Sequence, residues 1–225
     1  MIIWNVLDRL VAKTLHNRSV PWIAGYIRPV QLEALVRAVR TPGVRTYCEV
    51  GFNGGHSSAA VLFSTFNVTV RSFDSGAYGA HTRQNSEFLR AAHPQRFELI
   101  EGDSKTTLPM FAQRVQAGQE PSCDVILVDG GHSRENVEND MQNLAPAASC
   151  GAFVFVDDLE LEPGQGLRSI VARGIFQVKH SVLYDSRPTA APRRKDALAT
   201  VHVRDPNRRY NPCLRFYYHR RTVGL

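Results

Sequence analysis

The stretch Tyr47-Cys48-Glu49-Val50-Gly51-Phe52-Asn53-Gly54-Gly55-His56-Ser57-Ser58 decides the fold of this chain. It closes an apolar, β-forming run from Val44 to Val50, passes through a glycine-rich turn and opens a helical segment from Ser57 to Phe66. A strand, a tight loop and a helix N-terminus in that order offer backbone N–H groups to a ligand. Gly51 can take a backbone conformation closed to other residues, and Gly55 is expected to remove a side chain where helix and ligand approach. Glu49, at the strand's end, is placed to accept hydrogen bonds from a cationic or hydroxyl-bearing ligand. An ordinary βα turn shares this outline, so the rest of the chain has to decide.

Outward from the loop, the chain repeats a strand-then-helix step. Strands are expected at Val68–Phe73, Phe97–Ile100, Cys123–Val128 and Ala152–Val156, with helices at Thr82–Ala92, Thr106–Ala117, Glu135–Leu144 and Gly166–Arg173. Each strand runs into an acid: Glu49, Asp74, Asp103, Asp129 and Asp157 follow one another at intervals of 25, 29, 26 and 28 residues. Each interval fits one βαβ step, so five acids collect at the carboxyl edge of a parallel sheet. Ligands of open α/β sheets sit at that edge. The expectation is an α/β, Rossmann-like, doubly wound and mostly parallel sheet, built as one domain over residues 1–225. N-terminal helices fill residues 1–43, a cofactor-binding core 44–176, and strands with a basic loop 177–225.

The loop also excludes ligands. A dinucleotide fingerprint G-x-G-x-x-G fails at Asn53, and a P-loop fails because His56-Ser57, with no lysine, follows Gly55. What remains is E-x-G-x-x-x-G-x-S over Glu49, Gly51, Gly55 and Ser57. This resembles the first motif of class I S-adenosylmethionine-dependent methyltransferases, in particular the metal-dependent small-molecule O-methyltransferases of the catechol and caffeoyl-CoA type and of the sugar and macrolide type. The resemblance covers Tyr47 to about Leu159. It implies that Glu49, Gly51, Phe52, Asn53, Gly55 and Ser57 hold the amino-acid end of S-adenosylmethionine, Asp74 the ribose hydroxyls, and Asp103 with Ser104 the adenine amino group, with Asp129 completing the cofactor set. Standing alone, Asp74 and Asp103 could equally be helix caps. An antiparallel hairpin from two of the strands Val178–Tyr184, Ala199–Val203 and Leu214–Tyr218 is what the family adds at the end of the sheet.

The same resemblance assigns Asp129, Asp157 and Asp158 to a divalent cation and His132 to the catalytic base. Three carboxylates gathered at one point repel unless a cation lies between them, and oxygen-only ligation favours Mg²⁺. A histidine titrates near neutrality, as a general base should; its plainer role is to cap the helix beginning near Arg134. Histidine in place of lysine at 132, and aspartate in place of asparagine at 158, depart from the catechol pattern and favour the sugar-type relatives. The expected reaction is methyl transfer to a hydroxyl of a small-molecule acceptor. The alternatives are a metal-free or nucleic-acid methyltransferase using the basic C-terminal stretch, or a non-catalytic cofactor-binding scaffold.

Composition narrows the partners. From Arg187 onward ten Lys/Arg face only Asp196 and Asp205, a balance of +8 in a chain of net charge +6, so the edge that carries the strand-end acids is not the basic part. Arg193, Arg194 and Lys195 then read as a solvated face or a weak, sequence-blind nucleic-acid contact. Met1–Leu15 is amphipathic, interrupted by Asp8-Arg9, and so neither secretory leader nor membrane span; core packing, a lid or a homodimer contact are open to it. A second helix is expected over Pro29–Arg40. Trp4, Trp22, Tyr26, Phe52 and Tyr78 are candidates for lining an acceptor pocket. Cys48, Cys123, Cys150 and Cys213 form no C-x-x-C pair, which suggests reduced thiols and a reducing, cytoplasmic setting.

Overall fold

The computed structural model describes residues 27, 29–159, 161–174, 176–185 and 195–203, the last two stretches by their backbone alone. The expected helix Met1–Leu15, the aromatic candidates Trp4, Trp22 and Tyr26, the basic residues Arg193 and Arg194, and the strand Leu214–Tyr218 lie outside the described residues.

Five parallel strands form the core: β1 (Thr46–Val50), β2 (Thr69–Asp74), β3 (Phe97–Glu101), β4 (Cys123–Val128) and β5 (Ala148–Val156), in the order β3-β2-β1-β4-β5. Their helices are α1 (Pro29–Val39) before β1, α2 (His56–Ser64), α3 (Ala80–Ala92), α4 (Ser104–Gln116), α5 (Arg134–Leu144) and α6 (Glu162–Ala172). Two further strands, β6 (Phe176–Asp185) and β7 (Lys195–Val203), follow. The Rossmann-like layout expected from the acid spacing is present, and its order reverses between β1 and β4.

Both faces of the sheet are covered, which is why β1 is buried at every residue. Period-two alternation sends Cys48, Val50, Ile126 and Val128 to one side, against Leu108 and Phe111 of α4, Met141 of α5 and Ile170 of α6. Tyr47, Val125 and Leu127 face the other side, with Leu35 of α1, Leu62 of α2 and Leu89 of α3. Fully buried side chains of this size contribute about 1.5–3 kcal/mol each. Polar ties fix the strands lengthwise: Asp124 Oδ2 accepts from the N–H groups of Arg45 (2.7 Å) and Thr46 (3.0 Å), pinning β4 beside the start of β1.

Element ends differ from expectation for local reasons. α2 stops at Ser64 because the Thr65 hydroxyl donates to the Val61 carbonyl (2.8 Å), leaving Phe66 exposed. α4 begins at Ser104, two residues early, because Asp103 is its N-cap and accepts from Lys105 N–H at 2.9 Å. α6 begins at Glu162 rather than Gly166, with Pro163 in its first turn, where a missing N–H costs nothing.

The cysteine reading is corrected. Cys48 and Cys123 are joined by a disulfide, and Cys150 is disulfide-bonded too. Spacing in the sequence could not show this, because Cys48 and Cys123 meet only once β4 lies next to β1. The argument for a reducing compartment falls with it. Among the described residues no helix is long and apolar enough to cross a membrane.

Candidate active site

A cavity of about 680 Å³ opens at the carboxyl ends of the strands, centred on the reversal between β1 and β4. Gly51, Phe52, Asn53, Ser57, Asp74, Asp103, Ser104, Asp129, His132, Asp157 and Asp158 all line it, so the fold brings nearly every sequence-predicted residue to one place. Glu49 and Gly55 are the exceptions.

Glu49 turns inward. It is fully buried and accepts from the hydroxyls of Tyr47 (2.6 Å), Ser57 (2.5 Å), Ser58 (2.5 Å) and Ser72 (2.8 Å). Burial raises its carboxyl above the usual range, and the hydroxyls pull the other way. The expected direct ligand contact is therefore replaced by an internal one: Glu49 welds β1, β2 and the start of α2 beneath the loop. Gly55 also serves the protein rather than a ligand. Its backbone is left-handed (φ +77°), and a Cβ there would stand 2.5 Å from the Phe52 ring.

Gly51 is where the two halves of the sheet touch. At φ +95° a Cβ would lie 2.0 Å from the Asp129 carbonyl oxygen, beneath the bonds Gly51 N–H to Phe73 O (2.8 Å) and Asp129 N–H to Val50 O (2.9 Å). Gly51→Ala should cost about 2–4 kcal/mol of stability, from overpacking against backbone and from the left-handed strain. Urea unfolding measures it; an alanine variant as stable as the parent would mean the two strand ends are not in contact.

The loop between them is clamped by α3, which the sequence reading did not single out. Asn53, itself left-handed (φ +43°), meets His81 Nε2 with its side-chain oxygen at 2.7 Å, and the Asn85 amide donates to the Gly54 carbonyl at 2.7 Å. His81 and Asn85 are both buried, one helical turn apart on the same face. That i, i+4 polar pair, on a buried face that also carries Thr82, Ser86 and Leu89, was the available signal. Asp74 closes the opposite wall: its oxygens accept from Asn53 N–H (2.8 Å) and Gly76 N–H (2.7 Å), which aims the carboxylate while leaving each oxygen a second lone pair.

The acids at β4 and β5 form the second half of the site. Burial, then the neighbouring Asp157 and Asp158, push the Asp129 carboxyl well above the usual range. Asp158 is left-handed (φ +53°), a strained conformation of the kind that persists at functional sites, and its N–H donates to Asp157 Oδ1 at 2.8 Å. Asp157 Oδ1 also accepts from Gln31 of α1 at 2.7 Å, a long-range contact that nothing in the local sequence announces. His132 Nδ1 lies 2.8 Å from Asp158 Oδ2, and that hydrogen bond holds the imidazole above its ordinary range. The helix cap in this region is Ser133, which accepts from Asn136 N–H, so capping does not account for His132.

As donors the three aspartates suit a hard divalent cation, and their mutual repulsion at Asp129 is what such a charge would relieve. In the arrangement described, Asp158 is engaged by His132 and Asp157 by Gln31, and among the described residues no group of three or more His, Cys, Asp or Glu is gathered as a ligand set. A cation would have to draw Asp158 from His132.

An α/β sheet whose glycine loop and acids share a cavity at the order reversal is the frame of a nucleotide-type ligand site. Residues 48–159 match the family described as "Methyltransferase domain", and the chain carries a methyltransferase domain over that span. None of the curated proteins matches the chain. Among solved structures, the cofactor-bound Rv0187 from MTB is 18% identical at a TM-score of 0.70, covering 91% of each chain. The O-methyltransferase TomG from Streptomyces achromogenes, solved with SAM, is 16% identical at 0.65, covering 87% of this chain and 89% of its own. An O-methyltransferase from Bacillus cereus, in complex with SAH, is 18% identical at 0.64, covering 88% and 90%. At these identities the likeness to solved structures establishes the fold.

Proposed function

We propose that this domain binds S-adenosylmethionine across the strand ends and transfers its methyl group to a hydroxyl of a small molecule. The observation that carries the reading is the shared cavity: Asn53, Asp74 and Ser104 line the same space as His132 and Asp158. Asp74 is the acceptor for the ribose hydroxyls, Asp103 and Ser104 face the adenine, and the loop from Gly51 to Ser57 takes the amino-acid end. Bound there, S-adenosylmethionine supplies a methyl carbon on a sulfonium leaving group.

The acceptor hydroxyl enters beside His132. The bond from Nδ1 to Asp158 fixes the tautomer whose Nε2 is unprotonated, and that nitrogen is the one placed to take the acceptor hydroxyl's proton. Phe52, Tyr78 and Leu161 give the cavity an apolar wall. Mg²⁺, if bound, would be held by Asp129, Asp157 and an Asp158 released from His132, and would lower the pKa of the acceptor hydroxyl. β6 and β7 we read as the antiparallel hairpin that completes the sheet.

The cofactor assignment is tested by calorimetric titration with S-adenosylhomocysteine. Asp74→Ala should weaken binding by about 1–3 kcal/mol, since buried hydroxyls lose a charged acceptor. Unchanged affinity in that variant would move the ribose elsewhere, and competition by NAD would overturn the cofactor altogether.

A further inference from the structure

Helix α3 engages the acceptors at the tip of the glycine loop and leaves its donors. Asn53 is held from both ends: its backbone N–H donates to Asp74 Oδ2 at 2.8 Å, and its side-chain oxygen meets His81 Nε2 at 2.7 Å. That oxygen carries no hydrogen, so the imidazole nitrogen is the donor. One turn on, the Asn85 amide takes the Gly54 carbonyl at 2.7 Å. The Phe52 carbonyl is taken in turn by Gly55 N–H at 2.7 Å. Among Gly51, Phe52, Asn53, Gly54 and Gly55 only Asn53 has a side-chain N–H, and the described residues give its amide nitrogen no acceptor. The Ser57 hydroxyl gives its hydrogen to Glu49 at 2.5 Å. Gly55, the N-cap of α2, has no side chain to cap the first turn, whose N–H groups add positive potential to the same wall. Asn53, His56 and Ser57 all line the cavity.

We infer that His81 is a positioning residue that turns the Asn53 amide nitrogen-first toward the cavity and thereby selects a carboxylate on the ligand's amino-acid end. With Oδ1 committed to His81, the planar amide carries its two N–H donors on the other edge. An ammonium, which only donates, finds no partner there; a carboxylate, which only accepts, does. The donor matters more because Asp74, Asp129 and Asp158 line the same cavity and disfavour another negative charge. His81 is 0% exposed, so the helix fixes it away from the ligand and it acts only through Asn53. Without its N–H the amide is released to turn over and present oxygen, which repels a carboxylate.

This inference rests on the S-adenosylmethionine reading. Its test is calorimetric titration of S-adenosylhomocysteine and of decarboxylated S-adenosylhomocysteine, the same thioether with its amine but no carboxylate. Both are titrated into the parent, Asn53→Asp, His81→Leu and His81→Gln. The parent should prefer the carboxylate by roughly 10- to 100-fold, the range for charged hydrogen bonds made or lost in a closed site. Asn53→Asp, which puts acceptors where the donors stood and keeps a residue tolerant of the left-handed backbone, should bring the ratio to about one or invert it. His81→Leu should narrow it by roughly 3- to 10-fold. His81→Gln, whose amide nitrogen can stand in for Nε2, should keep the parent's ratio. A parent ratio near one, or a ratio unchanged in Asn53→Asp or in His81→Leu, overturns the inference and leaves the cofactor reading standing. So does a His81→Gln protein that behaves like His81→Leu, since shape and not the donated hydrogen would then be at work. Failure of the parent to bind S-adenosylhomocysteine overturns both. Because the readout is a ratio of two ligands, a general loosening of the fold does not mimic it, and Asn53→Asp, at the cavity rather than in the core, keeps the test standing if His81→Leu does not fold.

Discussion

Replacing His132 by alanine is expected to lower turnover by roughly 10²–10⁴-fold, the range for loss of a general base, with S-adenosylhomocysteine affinity nearly intact. The geometry behind this is specific: Asp158 holds Nδ1, so the other ring nitrogen is the one left to the acceptor. The parent rate should rise with pH as the imidazole loses its proton and level off above that point. The hydrogen bond to Asp158 favours the imidazolium, so the step lies above the ordinary histidine range for as long as that carboxylate is uncompensated. Steady-state rates across pH 5–9 in both proteins measure the effect. An active His132→Ala protein with the parent's pH profile would reduce the histidine to an ornament of the Asp158 loop.

Removal of divalent cations is expected to abolish turnover and Mg²⁺ to restore it. Asp158→Ala should shift the Mg²⁺ requirement upward, because one of three carboxylates is lost. The pairing of His132 with Asp158 makes this experiment decisive in both directions. With a cation required, Asp158 exchanges its histidine partner for the ion, and the pH step of the rate falls as Mg²⁺ is raised. Full activity in chelator would instead falsify the metal assignment and leave the His132–Asp158 pair acting alone. Cofactor binding measured in parallel separates a catalytic loss from a failure to assemble the site.

The features legible in the sequence were those set by short-range geometry. Strand, glycine turn and helix follow each other within Tyr47 to Ser58, and each βαβ step returns the chain to the same sheet edge, where this sequence places an acid every 25–29 residues. Asp74, Asp103, Asp129 and Asp157 were therefore found from spacing. What spacing could not show is which way a side chain turns once neighbouring strands arrive. Glu49 is held inward by Ser58 from α2 and Ser72 from β2. Asp157 takes Gln31 from a helix 126 residues earlier. His81 and Asn85 matter only because α3 packs over the loop that contains Asn53. Asp140 looks like any polar residue of an amphipathic helix until α5 is set against the sheet, where its face proves to be the buried one.

The disulfide bears on the unfolded chain more than on the folded one. Cys48 and Cys123 are 75 residues apart, and the segment between them contains α2, β2, α3, β3 and α4. In the denatured ensemble that segment is a closed ring, so the partners β1 and β4 never diffuse fully apart. In the chain-entropy view a ring of this size removes about 4 kcal/mol of disorder from the unfolded state. The longest-range parallel pairing in the sheet, which loop closure would otherwise make the slowest to form, becomes a local event. Reduction should thus slow refolding as well as lower the unfolding midpoint, and both are read from a denaturant chevron with and without thiol.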